Sequence, residues 1–267
     1  MQRFLTRDDL VADLISVGLG RGDTVMVHSA ISKVGEMING PDTLIAALCE
    51  TVGSDGTLMA YTDWDARYEA LLDAQGGMPN ALRGAVAGFD AQRSRAVRDN
   101  GVPPEFLRTT PGALRSANPG ASVTALGARA EWLTREHPLD YGYGPGSPLA
   151  RLVACGGKVI MIGAPHDTMT LIHHAEHLAN IKGKRIKRWD VPFAHGDSVV
   201  WRRCEEFDTS MAVCADLDDI DYFDAIVRSY LDAGSGQQGH VGQASTVVVE
   251  ARAIVDHAIS WLESAAP

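Results

Sequence analysis

The segment Gly22-Asp23-Thr24-Val25-Met26-Val27-His28-Ser29-Ala30 decides the fold class, because it reads as a turn followed by a short strand with β-branched residues. Apolar residues recur at helical spacing before this segment, over residues 6–17, and again after it, over residues 41–52. Residues 56–61 then form a second apolar run with the length of a strand. Helices that alternate with strands are typical of a parallel or mixed sheet, so the sequence predicts an α/β protein.

Polar side chains and glycines gather where the predicted strands end. The first strand brings His28 and Ser29 to its carboxyl end, the side of an open α/β sheet on which ligands usually bind. The glycine-rich segment 141–148 precedes a helix, with Ser147 as a predicted N-cap and Pro148 in the first helical position. This segment is neither the phosphate loop of nucleotide hydrolases nor a nucleophile elbow, since it lacks the lysine of the first and the second glycine of the second.

A second unit of strand and helix carries a cluster of histidines. Residues 158–163 are a compact apolar run typical of a buried strand, and residues 168–180 follow with the pattern of an amphipathic helix. At about 100° per residue, the polar face of this helix holds His173, Glu176, His177 and Asn180.

The cluster allows three interpretations. His173 can act as a general base near neutral pH, held by a carboxylate. His173 and His177, four residues apart, can instead bind zinc together with Glu176 or Asp167. The zinc-protease pattern is incomplete, because His174 occupies the position that its glutamate must take. The third interpretation is a polar helix face that meets water.

Composition and charge narrow the class of protein. The chain has 267 residues, 45% of them hydrophobic and 22% charged, which is ordinary for a globular protein. Its net charge of −10 argues against nucleic acid as a partner and suits a cationic ligand. No apolar run approaches the roughly 20 residues of a membrane span, and the first ten residues do not resemble a signal peptide. The scattered cysteines Cys49, Cys155, Cys204 and Cys214 favour free thiols. We therefore expect a cytoplasmic enzyme without a membrane partner.

The regular pattern breaks between residues 62 and 119, after which it returns. The stretch Tyr61–Glu69 mixes acids with aromatic rings, which suits sugar faces and ammonium groups. An irregular segment this long is typical of a substrate-covering insertion, and an exposed connection is the alternative.

The C-terminal part of the chain predicts further strands and helices. Residues 189–194 and 199–206 indicate a β-hairpin, and a helix is predicted from about Tyr222 to Asp232. Residues 234–239 are expected to form a flexible loop before a strand at 245–249 and a closing helix at 249–262. A basic patch either holds a phosphorylated cofactor or is a solvated charge run. It consists of Lys182, Lys184, Arg185, Lys187 and Arg188.

Several short motifs form one pattern along the chain. The first is Val27-His28-Ser29-Ala30-Ile31-Ser32-Lys33-Val34-Gly35. Six more follow in order: Gly56-Thr57-Leu58-Met59 with Tyr61 and Trp64-Asp65; Arg115-Ser116-Ala117-Asn118-Pro119; Gly146-Ser147-Pro148; Gly156-Gly157-Lys158 to Gly163-Ala164-Pro165; Ile172-His173-His174-Ala175-Glu176; and Glu206-Phe207-Asp208. In this order they resemble the aminoglycoside 3-N-acetyltransferase family, over about residues 22–208 and more weakly to the end.

The resemblance implies the fold and the reaction. We expect a single catalytic α/β domain over residues 1–267, with a central mixed sheet, helices on both faces and a deep acid-lined substrate cleft, as in the antibiotic N-acetyltransferases. The insertion at about 62–119 would cover the substrate. The implied reaction is acetyl transfer from acetyl-CoA to the 3-amino group of 2-deoxystreptamine aminoglycosides, without a metal, which confers antibiotic resistance. The amine would attack the thioester directly, in a monomer or homodimer.

The resemblance also implies roles for individual residues. The family's Leu-His-x-Ala-Glu motif falls on residues 172–176, which makes His173 the general base, with Glu176 orienting it or holding the cationic sugar. His28 would lie near the thioester. The implied coenzyme A contacts are His28, Ser29, Ala30, Ser32, Lys33, Val34, Gly35 and Ser116. The acidic candidates for binding substrate ammonium groups are Asp63, Asp65, Glu69, Glu176, Glu206 and Asp208, of which Asp208 matches best.

Some positions depart from the family pattern. Asn118 stands where the family usually has a histidine, which puts that histidine's contact in doubt, and residues 66–105 match poorly. His174 and His177 are expected to be structural or solvent-facing.

Two alternative functions remain. One is a metal-dependent hydrolase built on His166, Asp167, His173, Glu176 and His177, and the other is a non-catalytic protein that sequesters cationic sugars.

Overall fold

The computed structural model describes residues 4–266. Its helices are α1 (Arg7–Ser16), α2 (Pro41–Val52), α3 (Pro103–Thr109), α4 (Ala130–Thr134), α5 (Pro148–Ala154), α6 (Leu171–Leu178), α7 (Tyr222–Asp232) and α8 (Ala251–Ala265). Its strands are β1 (Thr24–Ser29), β2 (Thr57–Tyr61), β3 (Leu114–Arg115), β4 (Val123–Gly127), β5 (Lys158–Ile162), β6 (Ile186–His195), β7 (Ser198–Phe207), β8 (Gln237–Val241) and β9 (Ala244–Glu250).

A mixed seven-stranded sheet forms the centre of the protein, in the order β3-β4-β2-β1-β5-β9-β8. β1 lies parallel to both β2 and β5, and its Met26 is aligned with Met59 and Val159. The outer pairings of β4 with β2 and of β9 with β5 are antiparallel. The predicted α/β class with a mixed sheet is therefore confirmed.

Helices cover both faces of this sheet because the central strands are apolar on both sides. Met26, Val159 and Met161 point into one core, which is shared with α5, α6, α7 and α8. Val25 and Ile160, their neighbours in sequence, point into a second core with α1 and α2. Side chains that alternate between faces in this way follow from the two-residue period of a strand. Buried parallel strands read as continuous apolar runs for the same reason.

Short sequence signals set the ends of the helices as predicted. Pro41 opens α2, and Gly53, with φ of 69°, ends it. The hydroxyl of Ser147 caps α5 by accepting a hydrogen bond from the Ala150 amide, with Pro148 next in sequence. Proline at the first helical position and glycine just beyond the last are the arrangement that backbone geometry favours.

The predicted hairpin is also confirmed, and it supports the irregular insertion. β6 and β7 pair along their whole length, from Ile186 opposite Phe207 to His195 opposite Ser198. The insertion lies along β6, where the amide of Phe89 donates to the carbonyl of Pro192 at 2.8 Å. The guanidinium of Arg83 also contacts the carboxylate of Asp190. The insertion is thus packed against the hairpin.

Two local predictions are wrong. The histidine helix spans only Leu171–Leu178, after a 3₁₀ turn at His166–Thr168. It ends early because the Asn180 amide donates to the Glu263 carboxylate, outside the helix, at 2.8 Å. The segment predicted as a loop at 234–239 runs into edge strand β8, which is held by backbone pairing to β9 and carries polar side chains.

Other expectations concern membranes and thiols. Within residues 4–266, no helix combines the length and the apolar character needed to cross a membrane. All four cysteines are free thiols, as expected, and Cys204 and Cys214 are buried.

Candidate active site

Three cavities adjoin one another, and two of them are lined by residues at the carboxyl ends of β1 or β2. The strand-end cavity, of about 180 Å³, is lined by residues 27–30 at the end of β1, by residues 99–101, and by residues that follow β5. The acidic cavity, of about 540 Å³, lies between the insertion and the hairpin. The histidine cavity, of about 250 Å³, lies between His173 and the start of α7. Tyr61 and Asp99 line both the strand-end and the acidic cavity, and Thr209 lines both the acidic and the histidine cavity.

The strand-end cavity has buried polar atoms on its wall. His28 Nε2, Ser29 Oγ and Asn100 Nδ2 are buried there without a hydrogen-bond partner among the described residues. Burial lowers the pKa of His28 to about 4, so its imidazole is neutral near pH 7. Sequence reasoning predicted His28 and Ser29 for this site and missed Asn100, which lies in the poorly matched insertion.

His173 belongs to a chain of three hydrogen-bonded side chains. Nδ1 of His173 lies 2.7 Å from Oε2 of Glu176, one turn further along α6. The hydroxyl of Tyr222, at the start of α7, donates to the other oxygen, Oε1. Glu176 is nearly fully buried, with 4% of its side chain exposed, whereas His173 is 18% exposed. The exposed part of the chain is therefore the imidazole.

This arrangement fixes the tautomer of His173. An ionised carboxylate only accepts hydrogen bonds, so the proton of the neutral ring lies on Nδ1 and the lone pair lies on Nε2. Burial and the charge of Glu176 raise the pKa of Tyr222, which keeps its phenol protonated as a donor. The geometry thus suits a general base supported by a buried anion.

Aromatic rings connect His173 with the acidic cavity. The rings of Tyr143 and Phe223 each lie 4.9 Å from the imidazole, measured between ring centroids. The hydroxyl oxygens of Tyr143 and Tyr61 are 2.6 Å apart, and both residues line the acidic cavity. Burial raises the pKa of both phenols, so they remain neutral.

Asp63 has the most perturbed carboxyl group of the acidic cavity. Its backbone has a φ of 49°, in the left-handed region that aspartate tolerates better than most residues. Its Oδ1 accepts a hydrogen bond from the Trp64 amide at 2.7 Å. Burial raises the pKa of this carboxyl group to about 7 despite that hydrogen bond. A nearby ammonium group would favour its ionised form.

The other acidic residues of this cavity differ in whether they form ion pairs with basic side chains. Asp65 lies 3.1 Å from the exposed guanidinium of Arg67, and Glu69 lies 2.8 Å from the ammonium of Lys187. Asp99, which sequence reasoning did not select, lies where the acidic and strand-end cavities meet. Acidic walls of this kind concentrate cationic ligands.

Glu206 lies close to a histidine. Oε1 of Glu206 lies 2.9 Å from Nε2 of His177, and the same oxygen accepts from the Phe207 amide at 2.7 Å. His177 is therefore not solvent-facing, since only 5% of its side chain is exposed. His174 is structural, as expected: it is buried, and its Nδ1 lies 2.7 Å from the Tyr143 carbonyl oxygen.

Comparisons with known proteins show the family of this chain. The sequence profile of the aminoglycoside 3-N-acetyltransferases matches residues 26–263. The chain belongs to the aminoglycoside 3-N-acetyltransferase family. The aminoglycoside N(3)-acetyltransferase VIII of Streptomyces fradiae is 43% identical over 264 residues, covering 97% of this chain and 92% of that protein. The aminoglycoside N(3)-acetyltransferase III of Pseudomonas aeruginosa is 40% identical, covering 97% and 94%.

Solved structures of family members are similar over almost the whole chain. AAC-IIIb, in a binary complex with CoASH, has a TM-score of 0.97 and 59% identity, covering 99% of this chain and 98% of that one. AAC-VIa bound to sisomicin has a TM-score of 0.94 and 35% identity, covering 99% and 100%. The family resemblance inferred from the sequence motifs is confirmed.

Ser116, for which the family motif implies a coenzyme A contact, lines none of the three cavities. It is fully buried, and its hydroxyl accepts from the Val123 amide at 3.0 Å and lies 2.8 Å from Nδ1 of His137. Burial lowers the pKa of His137 to about 4, so this ring is neutral. Asn118 is also structural, since its Nδ2 donates to the Pro138 carbonyl at 2.6 Å. The segment around Ser116 is thus held by hydrogen bonds within the fold.

The loop after β1 contains the other residues predicted to contact coenzyme A. Ala30 lines the strand-end cavity, and Ser32 and Lys33 are exposed beside it. The Lys33 ammonium donates to the Gly163 carbonyl at 2.9 Å, which ties the loop to the end of β5. Val34 is a core residue, so only its backbone can face a ligand. Gly35 has a φ of 105°, a conformation that favours glycine.

Asp208 lies outside the acidic cavity. It lines a neighbouring depression instead, and its Oδ1 accepts from the Ser210 amide at 3.0 Å. Glu206, two residues earlier, lines the acidic cavity. The structure therefore supports Glu206 rather than Asp208 for a cation in the acidic cavity.

The basic patch and the proposed metal ligands are paired with other residues. Arg185, Lys187 and Arg188 form ion pairs with Asp218, Glu69 and Glu205. This pairing supports a charged surface rather than a phosphate site. Residues 4–266 contain no cluster of three His, Cys, Asp or Glu side chains arranged to hold a metal ion.

Proposed function

We propose that the protein transfers the acetyl group of acetyl-CoA to the 3-amino group of a 2-deoxystreptamine aminoglycoside and thereby confers resistance. Family membership supports the reaction class. Solved relatives bound to CoASH and to sisomicin support the two substrates. The observation that carries the proposal is the His173–Glu176–Tyr222 chain beside an acid-lined cavity.

His173 acts as the general base. Nε2 takes a proton from the substrate's ammonium group, because only the neutral amine is nucleophilic. Glu176 holds the ring through Nδ1 and stabilises the imidazolium that forms, and Tyr222 holds Glu176. Imidazole is suited to this task near neutral pH.

The acidic cavity binds the remaining ammonium groups. Asp63, Asp99 and Glu206 supply negative charge on its wall, with Asp65 and Glu69 nearer to basic partners. The aromatic residues Trp64 and Tyr143 supply faces for the sugar rings. Residues 62–119 thus act as the substrate-covering part of one catalytic domain that spans residues 1–267.

The strand-end cavity fits the acyl end of acetyl-CoA, which supplies the acetyl group as a thioester. The buried polar atoms of His28 and Ser29 lack partners within residues 4–266 and suit the polar groups of that arm. Ala30 lines the same cavity, and the loop of residues 32–35 that follows it would contact the rest of coenzyme A. Because acetyl-CoA is a cytoplasmic metabolite, we place the reaction in the cytoplasm.

The two alternatives inferred from the sequence are not supported. The residues offered as metal ligands have separate partners, His173 with Glu176, His177 with Glu206, and His166 with Asp224 at 3.4 Å. A protein that only sequesters cationic sugars would not need the buried carboxylate and phenol behind His173.

Thiol release tests the proposal. The protein is incubated with acetyl-CoA and gentamicin, and free CoASH is followed with and without a chelator. We expect release that requires gentamicin and is insensitive to the chelator. Absence of release with every 2-deoxystreptamine aminoglycoside would contradict the acetyltransferase function, and loss of release with the chelator would support the hydrolase alternative.

A further inference from the structure

The strand-end cavity contains a polar side chain without an assigned role. Asn100 Nδ2 is buried on its wall and has no hydrogen-bond partner in the described part of the chain. A buried donor without a partner costs roughly 1–3 kcal/mol. His28 Nε2 and Ser29 Oγ line the same cavity, and they too are buried without a hydrogen-bond partner within residues 4–266. Three such atoms in one small cavity indicate a polar ligand.

The chain brings Asn100 to the end of β1. Asn100 is the last residue of the 3₁₀ turn Arg98–Asn100, which Gly101 closes by donating its amide to the Arg98 carbonyl at 2.9 Å. Gly101 has a φ of 76°, and a β-carbon at this position would lie 3.7 Å from the Ser29 carbonyl oxygen. The turn therefore lies directly against β1, facing the residues predicted to bind coenzyme A.

The position of Asn100 suggests which part of the ligand it contacts. The strand-end and acidic cavities meet at Tyr61 and Asp99, and Asn100 follows Asp99 in sequence. A reacting amine and acyl carbon must approach to roughly 3–3.5 Å, so the thioester belongs at this junction. A carbonyl oxygen only accepts hydrogen bonds, and an amide nitrogen such as Asn100 Nδ2 only donates them.

We propose that the Asn100 side-chain amide donates a hydrogen bond to the carbonyl oxygen of the acetyl thioester. This inference rests on the proposed acetyltransferase function. As the nitrogen–carbon bond forms, electron density moves onto this oxygen, and the hydrogen bond strengthens. The density returns as the carbon–sulfur bond breaks and sulfur leaves with the electron pair, and the proton that the nitrogen then loses goes to the thiolate to give CoASH. A neutral donor serves here without repelling the cationic substrate.

Binding and spectroscopy test the contact without turnover. CoASH lacks the acetyl carbonyl, so Asn100→Ala should weaken acetyl-CoA binding roughly fivefold in calorimetry and leave CoASH binding unchanged. In native protein, the carbonyl stretch of ¹³C-labelled acetyl-CoA should shift to lower frequency on binding. This shift should disappear in Asn100→Ala and in the isosteric Asn100→Asp. Asn80→Asp, at an exposed asparagine, is the matched control and should retain it.

Kinetics give the second measurement. Asn100→Ala should lower kcat by on the order of 100-fold, the scale for a lost donor to a developing oxyanion, with little change in the KM for gentamicin. Equal weakening of CoASH and acetyl-CoA binding, or an unchanged carbonyl frequency in Asn100→Ala, would overturn the contact while leaving the proposed function intact. A native protein that binds neither compound would overturn the proposed function itself.

Discussion

Replacing Glu176 by glutamine tests how the buried carboxylate controls His173. Glu176 accepts from His173 Nδ1 at 2.7 Å through one oxygen and from the Tyr222 hydroxyl through the other. The Tyr222 hydroxyl has a single proton, which it donates to Glu176. In Glu176→Gln, the amide oxygen must therefore face Tyr222, and the amide NH₂ must face His173.

That orientation reverses the tautomer of His173. Nδ1 would have to accept from the glutamine, which moves the ring proton to Nε2 and removes the lone pair needed by the base. We expect kcat to fall by about 10³–10⁴-fold, the scale of a catalytic histidine held in the wrong tautomer. Tyr222→Phe keeps the carboxylate and loses one hydrogen bond, so its kcat should fall only about 10-fold.

The double variant separates this mechanism from a simple loss of charge. Without the Tyr222 hydroxyl, the glutamine can turn its oxygen toward His173, and part of the population regains the active tautomer. Glu176→Gln with Tyr222→Phe should therefore be about 10-fold more active than Glu176→Gln alone. Steady-state kcat with thermal melting as a folding control measures this. The tautomer mechanism would be refuted if the two losses of kcat multiply in the double variant. A Glu176→Gln variant with only a small loss of kcat would also refute it.

Three further outcomes follow from the structure. His173→Ala should lower kcat by roughly 10²–10⁴-fold in the thiol-release assay, and an unchanged kcat would remove its role as base. Since burial raises the pKa of Asp63 to about 7, gentamicin binding at pH 7 should release a fraction of a proton from this carboxyl group. Calorimetry in buffers of different ionisation enthalpy should find less proton release in Asp63→Asn than in the native protein. Equal proton release in the two proteins would contradict this role of Asp63. Burial lowers the pKa of His137 to about 4, so the unfolded chain binds the extra proton. Stability should be full above about pH 6.5 and fall by about 2 kcal/mol from pH 7 to pH 5 through this residue. Urea unfolding of His137→Gln should show a weaker pH dependence, and an unchanged slope would count against the assignment.

The fold was largely predictable where the chain is apolar and periodic. β1, β2 and β5 are buried on both faces, and their continuous apolar runs are visible in the sequence. The hairpin and α7 were likewise predicted within a few residues. β8 was missed because its side chains are polar and its position depends on backbone pairing to β9. No local pattern carries that information.

The candidate site was likewise predictable only in part. His173 and Glu176 are three residues apart on one helix, so their contact follows from helix geometry. Tyr222 is 46 residues from Glu176 and reaches it only through packing of α7. Asp99 and Asn100 lie in an irregular insertion, where the spacing of residues does not indicate which way their side chains point. Ser116 was selected on a family motif alone, and the structure shows it fully buried with partners inside the fold.

The position of the acetyl group on the product tests the central claim most directly. Gentamicin is incubated with acetyl-CoA and the protein, and two-dimensional NMR of the purified product locates the new amide. We predict one acetyl group, on the 3-amino nitrogen of the 2-deoxystreptamine ring. An acetyl group on another nitrogen, or unmodified gentamicin at high protein concentration, would contradict the assigned function.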